Sequence, residues 1–250
     1  MKEGDMKDGL ENQGGAASGV MDARAGSASG LNPKLVTVAA IVALMLGGIL
    51  VAYNYHLRNV RERYVAAPPK IGELMAYLEA TNRTGEDVSL EALKGKVWLC
   101  SYIFTDCPAQ CLGIAAEMKR VYEEFGNNDR FHLVSVSVNP EGDTPEKMDA
   151  FVKQHGVDVP QWWFLTGNEE RIHQYMSRYF KFSRVEENTD PQVIATQGQF
   201  SHDAHVALVD GEGRIRGYYN LLDFDFRDEQ AAKLERDLRW ILDEEMGDKQ

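Results

Sequence analysis

Apolar residues divide the chain into one continuous hydrophobic segment and a longer region of alternating elements. From Leu35 to Tyr53 the sequence carries no charge, and a helix of that length reaches about 28 Å, close to the thickness of a bilayer core. This pattern predicts one transmembrane helix over residues 35–53. A cleaved signal peptide and a buried core helix are the alternatives, but the long and more acidic than basic stretch before the segment is unlike a signal peptide.

The segments on either side of this helix differ in composition. Residues 1–34 are rich in glycine, alanine and serine, which bury too little surface to offset the entropy of ordering, so we expect a disordered tail. Residues 54–71 contain Pro68 and Pro69 and are predicted to be a linker. Positive charges lie on both sides of the helix, with more of them after it, so charge alone leaves its orientation open.

Residues 72–250 alternate between strand and helix patterns and are predicted to form one domain. Strands are predicted at 96–104, 131–138 and 161–165, helices at about 112–122, 143–155 and 168–179, a hairpin at 206–219 and a closing amphipathic helix at 229–245. This order, in which strands and helices alternate before a final ββα, predicts an α/β domain in which helices flank a mixed sheet. The layout is thioredoxin-like.

Composition narrows the range of functions. A chain of 250 residues with 44% hydrophobic residues supports one substantial domain. Its formal net charge of −12 argues against nucleic acid as a partner, because a phosphate-binding surface needs an excess of Lys and Arg. Three cysteines are too few for a disulfide-dense scaffold and favour chemistry or metal binding. Of these, Cys100 lies within a strand pattern and is predicted to be a buried small hydrophobic residue.

The other two cysteines, Cys107 and Cys111, lie where strand 96–104 gives way to a helix. Asp106 is predicted to cap that helix and Pro108 to lie in its first turn, which would direct backbone N–H groups at Cys107 and favour a thiolate. The cysteines have one more residue between them than a thioredoxin-type redox pair. Two thiolates suit a soft ion such as Cu(I), and an imidazole would complete a three-coordinate site. A structural disulfide is the plainer alternative.

A histidine ligand would have to come from elsewhere in the chain. The six candidates are His56, His132, His155, His173, His202 and His205. A thioredoxin-like fold would bring the loop before the hairpin, which contains His202 and His205, towards the cysteine turn. Residues three apart at the start of a strand face opposite sides, so we expect at most one of the two to point at the cysteines. The residues alone leave that choice open.

Four segments taken together resemble the Sco/SenC family of membrane-anchored, thioredoxin-like copper proteins that assist cytochrome c oxidase assembly. They are Lys94–Trp98, Ile103–Cys111, Val134–Pro145 and His202–Gly213. The resemblance covers about residues 72–245 and implies that Cys107, Cys111 and His202 bind copper. It selects His202 because the copper histidine of the family precedes an Asp-x-x-Gly turn, here at Asp210, by eight positions.

This resemblance also implies a function, a partner and a location. The cofactor would be copper, as Cu(I) or Cu(II), and Cu(I) would be delivered to the copper-bearing subunit of cytochrome c oxidase by a domain on the periplasmic side of a bacterial inner membrane. The alternative is a thiol-disulfide reductase that uses Cys107 and Cys111 on oxidase or other extracytoplasmic cysteines, with a thioredoxin-like reductant as a further partner. Leu112, Asn139 and Asp203 depart from the family pattern without removing a ligand, which suggests a divergent member.

Overall fold

The computed structural model describes residues 32–63 and 67–247, and these two stretches belong to two separate units. The first unit contains helix α1 (Pro33–Arg63). Within the described residues, the part of this helix from Pro33 to Leu57 is the one stretch long and apolar enough to cross a membrane. The helix continues through residues 54–63, which we expected to be linker, because no Gly or Pro in that stretch ends it. The predicted tail up to residue 31 lies outside the described residues.

The second unit contains the remaining elements. Its strands are β1 (Gly72–Glu73), β2 (Glu79–Asn82), β3 (Asp87–Ser89), β4 (Val97–Ile103), β5 (Phe131–Ser137), β6 (Trp162–Thr166), β7 (Glu186–Glu187), β8 (Phe200–Ser201), β9 (Val206–Val209) and β10 (Arg214–Tyr219). Its helices are α2 (Gln110–Phe125), α3 (Pro145–Gln154), α4 (Glu169–Tyr175), α5 (Pro191–Gln197) and α6 (Arg227–Gly247), with a 3-10 turn at Leu90–Leu93 and a π turn at Met176–Phe180.

Eight of these strands form one mixed sheet in the order β1-β10-β9-β4-β5-β6-β2-β3. Strands β4, β5 and β6 are parallel, and the flanking strands pair antiparallel, with β9 next to β4. All of β4 is buried, as expected for a central strand covered on both faces. Both α2 and α6 contact β4. The predicted α/β mixed sheet with flanking helices is confirmed, and the carboxyl end of β4 is where the cysteine turn begins.

Short elements between the π turn and β9 were not predicted. Strands β7 and β8 pair with each other, and α5 lies between them. Two-residue strands and a single short helix carry too few residues for a hydrophobic period to stand out. The helix predicted at residues 168–179 is also shorter than expected, since α4 gives way to the π turn at Met176.

Asn168 caps helix α4 and offers a test of local stability. Its side chain accepts a hydrogen bond from the backbone N–H of Arg171 at 2.9 Å, and the residue is exposed. Asn168→Ala should therefore lower the free energy of unfolding by about 1 kcal/mol, whereas Asn168→Ser should retain most of the capping. Urea unfolding of the full chain in detergent, followed by tryptophan fluorescence, measures both. Equal stability of the two variants would contradict the capping role.

Candidate metal centre

The turn between β4 and α2 places both candidate cysteines at the carboxyl end of the central strand. Helix α2 begins at Gln110, and Ala109 occupies its N-cap position without a side-chain hydrogen bond. The prediction that Asp106 caps this helix is therefore wrong. Asp106 instead pairs with Lys147 of α3 at 2.5 Å, because the chain makes an additional turn at Cys107 before the helix starts.

Backbone N–H groups nevertheless reach both sulfurs, as predicted for Cys107. The N–H of Cys111 donates to the Sγ of Cys107 at 3.4 Å, and the N–H of Phe104 donates to the Sγ of Cys111 at 3.3 Å. All three cysteines of the chain are free and buried. The turn thus holds two sulfurs side by side in contact with the N-terminus of a helix, where negative charge is stabilised.

His202 is the histidine that the fold brings to this turn. Its Nε2 lies 3.5 Å from the Sγ of Cys111, and its ring packs edge-on against Tyr102 of β4, with centroids 5.9 Å apart. Its Nδ1 lies 2.9 Å from the carbonyl oxygen of Asp203. Because a carbonyl only accepts, Nδ1 donates in this hydrogen bond, which orients the ring so that its Nε2 edge faces the sulfurs.

The two cysteines share one proton unequally. A hydrogen bond from the Cys111 thiol is the largest of the effects that lower the pKa of Cys107 to about 4, and it outweighs the opposing effect of burial. Hydrogen bonds from His202 and from the backbone N–H groups of Cys111 and Ala109 contribute less. The hydrogen bond between the two cysteines, together with burial, raises the pKa of Cys111 well above its ordinary value. Cys107 is thus a thiolate at neutral pH, with the Cys111 thiol beside it.

His205 turns away from the cysteines. Its backbone N–H and its Nδ1 both bond Oδ1 of Asp203, at 2.9 and 2.7 Å. The backbone N–H and hydroxyl of Ser183 bond the other carboxylate oxygen of Asp203. Burial acts to raise the pKa of Asp203, but the hydrogen bonds from His205 and Ser183 outweigh it and hold the pKa below its ordinary value. Asp203 therefore organises the loop that carries His202.

The other histidines of the globular unit lie in different surroundings. His173 bonds the carbonyl of Val138 through Nε2 at 2.8 Å, His132 packs against Trp163, and His155 packs against Phe151. His56 lies in α1. Of the candidates read from the sequence, His202 is the one whose ring contacts a cysteine sulfur in the described structure.

Asp143 holds the turn between β4 and α2 in place through hydrogen bonds, a role that the sequence did not indicate. It is fully buried and accepts hydrogen bonds from the backbone N–H and hydroxyl of Thr105, at 3.2 and 2.5 Å, and from the hydroxyl of Ser137 at 2.6 Å. In the sequence Asp143 was interpreted only as the start of a helix. The structure shows that the cap of α3 is Thr144, which leaves Asp143 to fasten the turn.

Gly198, in the segment between α5 and β8, packs against the turn that contains Cys107 and Pro108. Its φ of 95° lies in the region that favours glycine, and an added Cβ would lie 3.3 Å from Cδ of Pro108 and 3.8 Å from Cα of Cys107. Phe200, two residues on, packs edge-on against Phe104 with centroids 5.2 Å apart. A lone glycine in a polar segment carries no signal in the sequence that would identify this contact.

Gly198→Ala should displace this segment and expose Cys107. The alanine is strained at this backbone conformation by roughly 1–3 kcal/mol, and its Cβ would press on Pro108. We expect several-fold faster alkylation of Cys107 by iodoacetamide, measured by peptide mass spectrometry. Gly85→Ala is the matched control, since Gly85 has a φ of 81° and nothing within 4 Å of an added Cβ. An unchanged alkylation rate in Gly198→Ala would contradict the packing role.

A mixed sheet with paired cysteines at the carboxyl end of its central parallel strand, and an imidazole beside them, defines a thioredoxin-like protein with a dithiol centre. The model of the SCO1/SenC family matches residues 69–239, so the chain belongs to the SCO1/SenC family. It is 32% identical over 141 residues to a SCO1 protein homolog of Bacillus subtilis, an alignment that covers 56% of this chain and 69% of the relative.

Solved structures agree with this assignment. ScoI of Bradyrhizobium japonicum, whose structure holds copper, is 26% identical with a TM-score of 0.51, covering 66% of this chain and 98% of that one. BsSco, described as a member of the Sco family of cytochrome c oxidase assembly proteins and as having a disulfide switch, is 26% identical with a TM-score of 0.51, covering 67% and 96%. The resemblance seen in the sequence and the thioredoxin-like fold are both confirmed.

Proposed function

We propose that this protein is a membrane-anchored copper chaperone that holds Cu(I) with Cys107, Cys111 and His202. It would deliver the ion by ligand exchange to a copper centre of cytochrome c oxidase during assembly. The observation that carries the proposal is the convergence of two sulfurs and an imidazole on one turn, with the Sγ of Cys111 3.5 Å from Nε2 of His202.

The donor set fits Cu(I) better than other ions. Two soft thiolates together with one imidazole match a three-coordinate Cu(I) site, whereas zinc would take a fourth ligand. The hydrogen bond from Nδ1 of His202 to the Asp203 carbonyl orients the ring and leaves Nε2 free to bind. In the part of the chain that the structure describes, no group of three or more His, Cys, Asp or Glu side chains is arranged so that it could hold a metal ion. Copper binding would therefore draw these neighbouring donors together.

The choice of copper as the ion and of the oxidase as the partner rests on two relatives. The structure of ScoI from Bradyrhizobium japonicum contains copper, and BsSco is named as a cytochrome c oxidase assembly protein. We extend both properties to this chain and propose the copper-bearing subunit of the oxidase as its partner. Helix α1 would hold the domain at a bacterial inner membrane, with the domain on the periplasmic side where such centres are assembled.

The location has a direct test. A protease added to intact spheroplasts should digest the globular unit if it lies on the periplasmic side, and should spare it if it lies in the cytoplasm. Disruption of the membrane with detergent provides the control, because it should make the chain accessible in either case. Protection of the globular unit in intact spheroplasts would contradict the proposed location.

A thiol-disulfide reductase would use the same cysteines, so His202 is the residue that separates the two functions. A reductase needs one thiolate to attack and a second thiol to resolve the mixed disulfide, and neither step needs a metal ligand at His202. The copper-bearing relative favours the chaperone over the reductase.

The test is a Cu(I) titration of the full chain in detergent, against a competing chelator. The wild-type chain should bind one Cu(I). His202→Ala should weaken binding by about 100-fold or more, since loss of even an outer-shell partner costs 10–100-fold, while disulfide exchange should stay near the wild-type rate. His205→Ala is the matched control, because His205 bonds Asp203 instead of facing the sulfurs, and it should retain most of the affinity. Wild-type affinity in His202→Ala would refute the ligand assignment.

A further inference from the structure

The loop between β10 and α6, which packs against helix α2, exposes two aromatic side chains. Phe224 is 99% exposed and Phe226 is 55% exposed. A phenylalanine ring in water forgoes the stabilisation that burial would give. We call residues 220–226 the Phe224 loop.

Side-chain hydrogen bonds hold this loop in one shape. Oδ1 of Asp223 accepts from the backbone N–H groups of Asp225 and Phe226, at 3.1 and 3.2 Å. Oδ1 of Asn220 accepts from the N–H of Leu222 at 3.2 Å. The ring of Phe224 is therefore presented on a fixed turn, and a partner that buries it would spend little entropy on ordering the loop.

Leu222 fastens the Phe224 loop to the helix that carries Cys111. An added Cβ at Gly113 would lie 2.9 Å from Cδ2 of Leu222, so the leucine packs directly against the backbone of α2, two residues after Cys111. Gly113, Leu222 and Phe224 line the same open groove, which has a volume of about 420 Å³. A protein that covers Phe224 would therefore lie over the start of α2.

The surface around Phe224 is acidic. Asp223, Asp225, Asp228 and Glu229 lie within or just after the loop, and Asp225, Asp228 and Glu229 are exposed. The cation nearby in sequence, Arg227, pairs with Asp228 at 3.3 Å. The net charge of these residues is negative, which favours a positively charged partner and disfavours both an anionic membrane and a second copy of the same loop.

We propose that the Phe224 loop docks the protein that exchanges copper with the cysteine turn. This rests on the proposed function and adds the chemistry of recognition. The partner would offer an apolar pocket for the ring of Phe224, rimmed by Lys and Arg side chains that face the acidic residues. An exposed aromatic anchor with a charged rim is a common arrangement of the residues that dominate binding.

The experiment measures complex formation between the full chain in detergent and the apo form of the copper-bearing domain of the oxidase from the same organism. Phe224→Ala should weaken the complex by about 10-fold or more, as expected for a central aromatic anchor. Asp225→Asn with Glu229→Gln should slow association and reduce its dependence on salt. Met75→Ala is the matched control, because Met75 is 76% exposed and lines a different groove, and it should bind like the wild-type chain.

Cu(I) titration of the same variants separates this inference from the proposed function. Phe224→Ala should bind Cu(I) with wild-type affinity but transfer it to the domain more slowly. Wild-type affinity of Phe224→Ala for the domain would overturn the docking site, as would the absence of any complex. Phe224-dependent dimerisation or vesicle binding without domain binding would also overturn it, by assigning the ring to another occupant. A wild-type chain that binds the domain through Phe224 but binds no Cu(I) would overturn the chaperone function and leave the docking surface standing.

Discussion

Asp210→Ala is expected to lower the free energy of unfolding by about 3–5 kcal/mol, the usual cost of removing one partner of a buried ion pair. Asp210 is 1% exposed and Arg216 is 2% exposed. Oδ2 of Asp210 accepts from Nη1 of Arg216 and from Nε of Arg214, both at 2.8 Å. Its Oδ1 accepts from the backbone N–H groups of Glu212 and Arg214, each at 3.0 Å. The alanine variant would leave the Arg216 guanidinium buried without its carboxylate.

Urea unfolding of the full chain in detergent measures this loss, because all four tryptophans lie in the globular unit and report its unfolding. Glu212→Ala is the matched control. Glu212 also pairs with Arg214, but its side chain is 67% exposed, so its loss should cost no more than about 1 kcal/mol. A similar cost for the two variants would contradict the assigned role of the buried carboxylate.

Arg216 extends the same cluster to the start of the globular unit. Its Nε and Nη2 donate to the carbonyl oxygen of Pro68 at 3.1 and 2.7 Å, and its guanidinium lies over the ring of Trp240, 5.5 Å from the centroid. Pro68 itself is buried. Pro68, which was predicted to lie in the linker, is thus fixed to β10 by a buried cation and belongs to the globular unit.

Much of this architecture could be predicted because long runs of apolar residues indicate directly which segments are buried. Strand β4 and the hairpin of β9 and β10 have apolar runs bounded by turn residues, and both were found near their observed ends. The resemblance then brought Cys107, Cys111 and His202 together. Their neighbourhood in the structure agrees with that grouping, and their metal-binding role stays a prediction.

Contacts between segments distant in the sequence could not be predicted from local patterns. Asp106 has the residue type and position of a helix cap, but the turn at Cys107 delays the helix and Asp106 pairs with Lys147 instead. Asp143 was read as a local helix signal, although its partners Thr105 and Ser137 are on other elements. Such residues satisfy buried polar groups across the fold, and the sequence around each of them does not identify the partner.

Cys111→Ala is expected to abolish stoichiometric Cu(I) binding by the full chain. The variant removes one of the two thiolates that make the proposed site soft and also removes the thiol whose hydrogen bond most strongly lowers the pKa of Cys107. The remaining pair, Cys107 and His202, would hold the ion with two donors, and Cys107 would be less readily ionised without the Cys111 thiol. Competition against a Cu(I) chelator measures the loss.

Cys100→Ala makes the same chemical change at a different place and serves as the matched control. Cys100 lies in β4 with no solvent exposure, and burial raises its pKa above the ordinary value, so it is a protonated thiol that offers no thiolate to a metal. The Cys100→Ala chain should bind one Cu(I) with the affinity of the wild-type chain. The two variants also separate the two chemistries, because Cys107 in Cys111→Ala can attack a partner disulfide but has no thiol to resolve the product. A stable mixed disulfide with wild-type copper affinity in Cys111→Ala would favour the reductase and contradict the copper site.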